Sequence, residues 1–259
     1  MPGDASDRNW FDAGGEQYSR FRPTYPPELA ERLAAAAPAR RLAVDVGCGN
    51  GQLTRLLAGQ FEQVVGIDAS ADQIAHADPH ERVVYRRAAA ESLPFDDGTV
   101  DCVTAAQAAH WFDLPAFYAE VARIAAPGAV VALVSYGIAT IDDERVDARF
   151  RALHRDQLGH FWPPERQHVD EGYRSFDFPF MEWEPEPLAI ERALDAQALL
   201  GYVSTWSAVR AARDAGAGAL LIAFAADLAE LWPPQRATLR ITWPVTMRIG
   251  QVAGGPTRA

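Results

Sequence analysis

Apolar residues fall in short unbroken runs through the first half of the chain. Leu42–Val46, Val64–Ile67, Val83–Tyr85, Val100–Ala105 and Val130–Ser135 lack the apolar–polar alternation of a strand with one wet face. Such runs predict strands buried on both sides. The stretches between them read as helices. Pro26 and Pro27 suit a helix start, with Leu29 and Leu33 on its apolar face to about Ala37. Gln52–Ala58 and Ala71–Ala77 follow the first two runs. Leu114, Phe117, Val121 and Ile124 make an apolar stripe on a helix Leu114–Ile124, capped by Asp113 and stopped by Pro127-Gly128. Buried strands joined by crossover helices predict an α/β, Rossmann-like doubly wound core with a mainly parallel sheet.

Beyond Gly137 the rhythm changes. Residues 141–175 are charged and aromatic, without strand periodicity. A strand-like stretch lies within Phe176–Ile190, interrupted by Pro179, Pro185 and Pro187. Helical segments are expected at Asp195–Tyr202, Ser204–Ala212 and Ala217–Leu231. Ala237–Val252 alternates as a final strand does, through Leu239, Ile241, Trp243, Val245, Met247 and Ile249.

The 259 residues, 49% hydrophobic and 23% charged, suit one large domain with a substantial core. The net charge is −11, and all 24 basic residues are arginine. Lysine Schiff-base and lysine general-base chemistry are therefore excluded. The acidic balance argues against a nucleic-acid partner. Cys48 and Cys102 both fall in strand or turn contexts, as buried free thiols of a reducing compartment. No signal-peptide pattern opens the chain, and the apolar run from Ala215 is broken at Asp227. The expectation is a cytoplasmic protein with no membrane partner.

Residues 42–51 carry the sharpest chemistry: Leu-Ala-Val-Asp-Val-Gly-Cys-Gly-Asn-Gly. Gly47, Gly49 and Gly51 after a buried strand predict a tight turn that a ligand can approach. In dinucleotide-binding folds this turn cradles a pyrophosphate, and Asp45 would place a carboxylate near a dianion. A phosphate-free ligand with a positive centre suits Asp45 better, and S-adenosylmethionine, with its ammonium and sulfonium, is one. Asp45 could bond the ammonium directly or through water, or simply cap the turn's amides. Asp68, ending the second strand, can take both ribose hydroxyls on its two oxygens, or cap the following helix, a role that Ser70 fills better. Gln107 and Ala108 end the fourth strand, at the rim where such sheets bind ligands. An NAD-dependent oxidoreductase on the same fold and a non-catalytic S-adenosylmethionine-binding protein stay open as alternatives.

With these landmarks in order, the chain resembles the class I S-adenosylmethionine-dependent methyltransferases. More narrowly it resembles the type 11 small-molecule enzymes, trans-aconitate methyltransferase-like members included. Val44–Gly51, Gly66-Ile-Asp68-Ala69-Ser70, Ala88–Phe95 followed by Asp101, and Arg123–Gly128 carry the likeness. The segments Phe11–Tyr18, Arg22–Pro26 and Ala105–Phe112 point to a subgroup. The resemblance implies a sheet of seven strands, the last antiparallel, with helical cap insertions. It implies a single domain over 1–259, comprising a lid arm 1–28, a core 29–138, and cap segments and last strands 139–259.

The cofactor set so implied is Tyr18, Arg22, Asp45, Gly47, Cys48, Gly49, Gly51, Asp68, Ala69, Ala90, Glu91, Gln107 and Ala108. Tyr18 and Arg22 would close the arm over the ligand's carboxylate, and Ala90 and Glu91 would meet the adenine. Many relatives hold Asp or Ser where Ala89 stands, so the adenine bond here must come from Glu91, backbone or water. No metal is expected. His110, just past the fourth strand, is the candidate general base; alternatively His110 and Trp111 form a pocket wall and move no proton. Trp162, Tyr173, Tyr202 and Trp206, with His110 and Trp111, could line a pocket for an apolar or planar small molecule. Arg149, Arg151, Arg155 and Arg166 keep a carboxylated substrate open.

Overall fold

The computed structural model describes residues 21–253. Their elements are α1 (Pro27–Ala36), β1 (Leu42–Val46), α2 (Gln52–Leu57), β2 (Gln63–Asp68), α3 (Ala71–Ala75), β3 (Val83–Arg87), β4 (Val100–Ala106), α4 (Leu114–Ile124), β5 (Ala125–Tyr136) and β6 (Thr140–Ile141). There follow α5 (Glu144–Ala152), α6 (Arg166–Asp170), β7 (Met181–Trp183), β8 (Leu188–Leu194), α7 (Ala196–Ser204), α8 (Ser207–Asp214), α9 (Ala219–Leu231) and β9 (Leu239–Gln251). The strand order is β3-β2-β1-β4-β5-β9-β6, seven strands along one path, and the short β7 and β8 also pair with β9. β1 pairs parallel with both β2 and β4, and β5 meets β9 antiparallel. The expected antiparallel last strand is therefore present.

The core explains the unalternating strand sequences. Val44, Val65, Val103 and Val131 are buried on one face and their chain neighbours Ala43, Val64, Cys102 and Val130, in the same register, on the other, because the sheet is covered on both faces. Helix α4 adds Phe117, Val121 and Ile124 to the same core. Its N-cap is Asp113, which accepts from the Ala116 amide. One boundary departs from the sequence reading. Pro127-Gly128 does not separate α4 from a strand at Val130: β5 starts at Ala125, directly after the helix. The β4–β5 ladder shifts register between Val100 and Cys102, and Gly128 takes the left-handed φ of 79° that lets the strand pass this irregularity.

Two compact units emerge. The sheet unit comprises 23–140, 164–192 and 241–253 of the described residues. The helical unit takes Phe21 and Arg22 together with Ile141–Pro163 and Ala193–Arg240. Residues 164–192, from the stretch expected to hold cap segments and last strands, fall in the sheet unit. Arg248 explains their placement: its guanidinium donates to the carbonyls of Tyr173 (2.9 Å) and Phe176 (2.8 Å) and forks onto Glu182. No helix among the described residues is long and apolar enough to cross a membrane.

At the amino end of β1, the fully buried Asp101 accepts from the Arg41 amide (2.9 Å), the Leu42 amide (3.2 Å) and the Arg41 guanidinium (2.7 Å). Burial alone would raise this carboxyl, but the bonds from Arg41 and Leu42 outweigh it and hold Asp101 below the usual carboxylate range. Asp101→Ala orphans those amides and should cost about 2–3 kcal/mol in urea unfolding at neutral pH. The loss should shrink as pH falls through the depressed value, because the wild-type carboxylate contributes only while ionised.

Candidate functional site

The site is built at the carboxyl ends of β1, β2 and β4, where the chain runs to β2 on one side and β4 on the other. The turn after β1 holds its shape by backbone bonds. The Gly47 and Cys48 amides both donate to the Ile67 carbonyl (2.7 and 3.0 Å), and the Gly51 amide to the Cys48 carbonyl (3.0 Å). Gly47, Gly49 and Gly51 all take left-handed φ. Their surroundings differ. A Cβ at Gly47 would collide with Ala108, and one at Gly51 with the Tyr85 ring. At Gly49 the nearest neighbour of a Cβ is the far end of Gln73 at 3.5 Å, so this glycine faces room.

Asp68 grips the turn from the neighbouring strand. One oxygen accepts from the Gly49 amide (2.8 Å) and the other from the Ser70 amide (2.8 Å). Each carboxylate oxygen keeps a further lone pair. Ser70 caps α3 through the Gln73 amide, and the exposed Ala69 carbonyl accepts from Arg87.

Asp45 lies beneath the turn and is buried. Its oxygens accept from Thr54 Oγ1 on α2 (2.7 Å) and Thr104 Oγ1 on β4 (2.8 Å). It therefore does not cap the turn's amides, which go to Ile67 and Asp68. Burial pushes the Asp45 carboxyl up to about 6, the two threonine hydroxyls pull it back down, and the Asp68 charge adds to the rise. Near pH 7 it remains mostly ionised. Burial, with the Asp45 and Asp68 charges, also keeps Cys48 protonated as a thiol. Cys48 and Cys102 are free.

The loop after β3 is tied down by two residues, Glu120 and Arg123, to which the sequence reading gave no role at the site. Glu120 accepts from the Leu93 amide (2.7 Å) and pairs with Arg123, whose guanidinium also donates to the Leu93 and Phe95 carbonyls (2.9 and 2.7 Å). Ala90 is buried, and Glu91 reaches the Asp113 amide (2.9 Å), so its side chain is engaged at the start of α4. Polar residues three apart on a helix (Glu120 and Arg123) were the available signal.

Beyond β4, Gln107 has a φ of 54° and donates from its side chain to the Tyr136 carbonyl (3.0 Å). Ala108 packs on Gly47. His110 Nδ1 meets the Tyr173 hydroxyl at 3.0 Å, and the exposed Trp111 tilts against the His110 ring at 4.9 Å. Burial, then the charges of Arg166 and His168, push the His110 imidazole down to about 3. The expected pocket aromatics divide between the units. Trp162, Tyr202 and Trp206 gather in the helical unit, with Trp206 ring centroids 5.5 Å from Trp162 and 5.6 Å from Tyr202. The buried His154 sits among them, 5.2 Å from Trp206. Arg22 lies in that unit too, bonded to the Thr205 carbonyl and 5.9 Å over the Tyr202 ring. Arg149 pairs there with Asp227. Tyr173 instead belongs to the sheet unit, fully buried. Tyr18 lies outside the described residues.

A methyltransferase-domain model matches residues 44–133, the strands and turns of this site. A Dictyostelium discoideum protein bearing a methyltransferase name is 34% identical over 209 residues, 80% of this chain and 80% of its own. A solved structure from Anaeromyxobacter dehalogenans, described as a type II methyltransferase, is 45% identical with a TM-score of 0.85, over 91% of this chain and all of that one. The chain belongs to the class I S-adenosylmethionine-dependent methyltransferases. A Saccharomyces cerevisiae protein named as an S-adenosylmethionine-dependent methyltransferase is 32% identical over 116 residues, 41% of this chain and 40% of its own.

In this methyltransferase the raised Asp45 carboxyl predicts a pH effect. An acid that is harder to ionise when folded favours the fold while protonated, and that contribution is lost as pH rises through about 6. Asp45→Asn cannot ionise and keeps an acceptor for the threonines. Its stability relative to wild type should rise between about pH 4 and 7 in urea midpoints taken across that range.

Proposed function

We propose that this methyltransferase binds S-adenosylmethionine against the Gly47–Gly51 turn and transfers its methyl group to a small-molecule acceptor by in-line displacement. The observation that carries the reading is Asp68: its two oxygens each hold one amide, of Gly49 and Ser70, and retain acceptor capacity at the open side of the turn. Bound there, the cofactor would supply an electrophilic methyl on a sulfonium, an activated donor for which alignment supplies much of the acceleration.

The chain's residues then take separate roles. Asp68 accepts the ribose hydroxyls. Gly49 gives the ligand room that a side chain would fill. Asp45 supplies negative charge beneath the turn, which suits a cationic ligand and opposes a pyrophosphate. Ala90 and Glu91 frame the adenine, with Glu91 already committed through one oxygen. Gln107 and Ala108 form the rim, and His110 with Trp111 faces the acceptor. Tyr18 and Arg22 are carried as contacts to the cofactor's carboxylate on resemblance alone. A small-molecule acceptor is favoured over nucleic acid by the net charge of −11. The two free thiols support a reducing, cytoplasmic setting.

Calorimetric titration with S-adenosylhomocysteine should show micromolar binding and NADH none; heat from NADH alone would move the chain to redox chemistry. Asp68→Asn exchanges an acceptor oxygen for a donor and should weaken S-adenosylhomocysteine about tenfold, the weight of one buried hydrogen bond. Unchanged affinity would remove Asp68 from the ribose role.

A further inference from the structure

We propose that Tyr173 is a positioning residue that fixes His110 in the tautomer whose Nε2 carries the proton, so that His110 meets the methyl acceptor as a hydrogen-bond donor. The inference rests on the reading above for where the acceptor sits, and on geometry for everything else.

Among the described residues, Gln107 and Tyr173 are the non-glycine residues with positive φ, at 54° and 61°. One precedes His110 in the chain and the other bonds it. A bulky residue in the left-handed region persists only where its surroundings impose it, and such strain gathers at functional sites. The surroundings of Tyr173 do impose it. Gly172, φ 64°, lies so close to Thr246 that a Cβ would come within 3.1 Å of that side chain. Arg248 holds the Tyr173 carbonyl at 2.9 Å, and its own fork is anchored on Glu182. Phe176 stacks on the Tyr173 ring, with centroids 5.1 Å apart and planes 15° apart. The phenol is thereby carried, fully buried, to 3.0 Å from His110 Nδ1.

The direction of that bond follows from proton inventory. Burial pushes the Tyr173 phenol well above its ordinary value, so it stays protonated. Its buried proton needs an acceptor, and among the described residues Nδ1 is the one it meets. The imidazole stays neutral because burial, Arg166 and His168 all disfavour its charge. A neutral imidazole that accepts at Nδ1 must carry its proton on Nε2. The opposite arrangement, Nδ1–H donating to the phenol, would leave a buried hydroxyl proton unpaired. His110 so held offers N–H to an oxygen lone pair and is not set to remove a proton. The acceptor it suits is one whose nucleophilic atom needs no deprotonation at this residue.

The test is the imidazole nitrogen spectrum of the ¹⁵N-labelled full chain, with His110 assigned from the signal lost in His110→Gln. Wild type should show the Nε2–H tautomer alone between about pH 6 and 8. Tyr173→Phe keeps the ring and removes the hydroxyl, and should shift the tautomer ratio about tenfold toward Nδ1–H, with S-adenosylhomocysteine affinity within about twofold of wild type. A wild-type Nδ1–H tautomer, a mixture, or an unchanged ratio in Tyr173→Phe would overturn the proposal. If Tyr173→Phe does not fold, the wild-type spectrum alone decides. Loss of S-adenosylhomocysteine binding by wild type defeats the cofactor reading instead, and the tautomer is read in the same sample regardless.

Discussion

One buried carboxylate ties together the elements on which the site stands. Asp45 sits on β1 and takes a hydroxyl from α2 and another from β4. Those elements flank the glycine turn on either side of the point where strand order reverses. A few neutral donors from Thr54 and Thr104 are thin compensation for a buried charge, which is why ionisation is delayed to about 6. The residue nevertheless keeps negative charge under a turn whose amides would otherwise favour an anion. Fold geometry and the electrostatics of the turn thus meet in a single side chain.

Asp101, on the neighbouring β4, is its counterpart at the opposite end of this strand pair. It too is buried, but it receives amides and a guanidinium, and it is held ionised. The contrast lies in the donors, since both residues are excluded from water. Arginine makes the second arrangement possible, because its fork spans several acceptors at once. Arg123 does the same for the loop after β3, and Arg248 for the segment that carries Tyr173. A chain without lysine has no point-charge substitute for these clamps.

Much of this was legible in the sequence because it is local. β1, α4 and the cap at Asp113 follow from periodicity and composition within a few residues. Asp68 and the three glycines follow from a motif that is contiguous once the strands are known. The start of β5 was misread because Pro127-Gly128 signals a break. Here it marks an irregularity inside a strand. The partners of Asp45 were not legible, since a lone threonine in an apolar strand, such as Thr104, looks like ordinary β-branched filling. Nor was the link from His110 to Tyr173, which spans 63 positions and depends on a left-handed residue that no propensity predicts. Aromatic content alone also does not say that Trp162, Tyr202 and Trp206 join the helical unit and Tyr173 the sheet unit.

The three glycines of the turn look equivalent as letters and share a left-handed backbone that favours glycine, yet at two of them a neighbour also fills the space a side chain would need, and at Gly49 none does. At Gly47 and Gly51 a side chain would need Ala108 or Tyr85 to give way as well as the backbone to bear the strain. A residue that tolerates the left-handed region, such as asparagine, would meet only the far end of Gln73 at position 49 but a packed neighbour at 47 or 51, so the middle glycine is the one this turn can most readily give up.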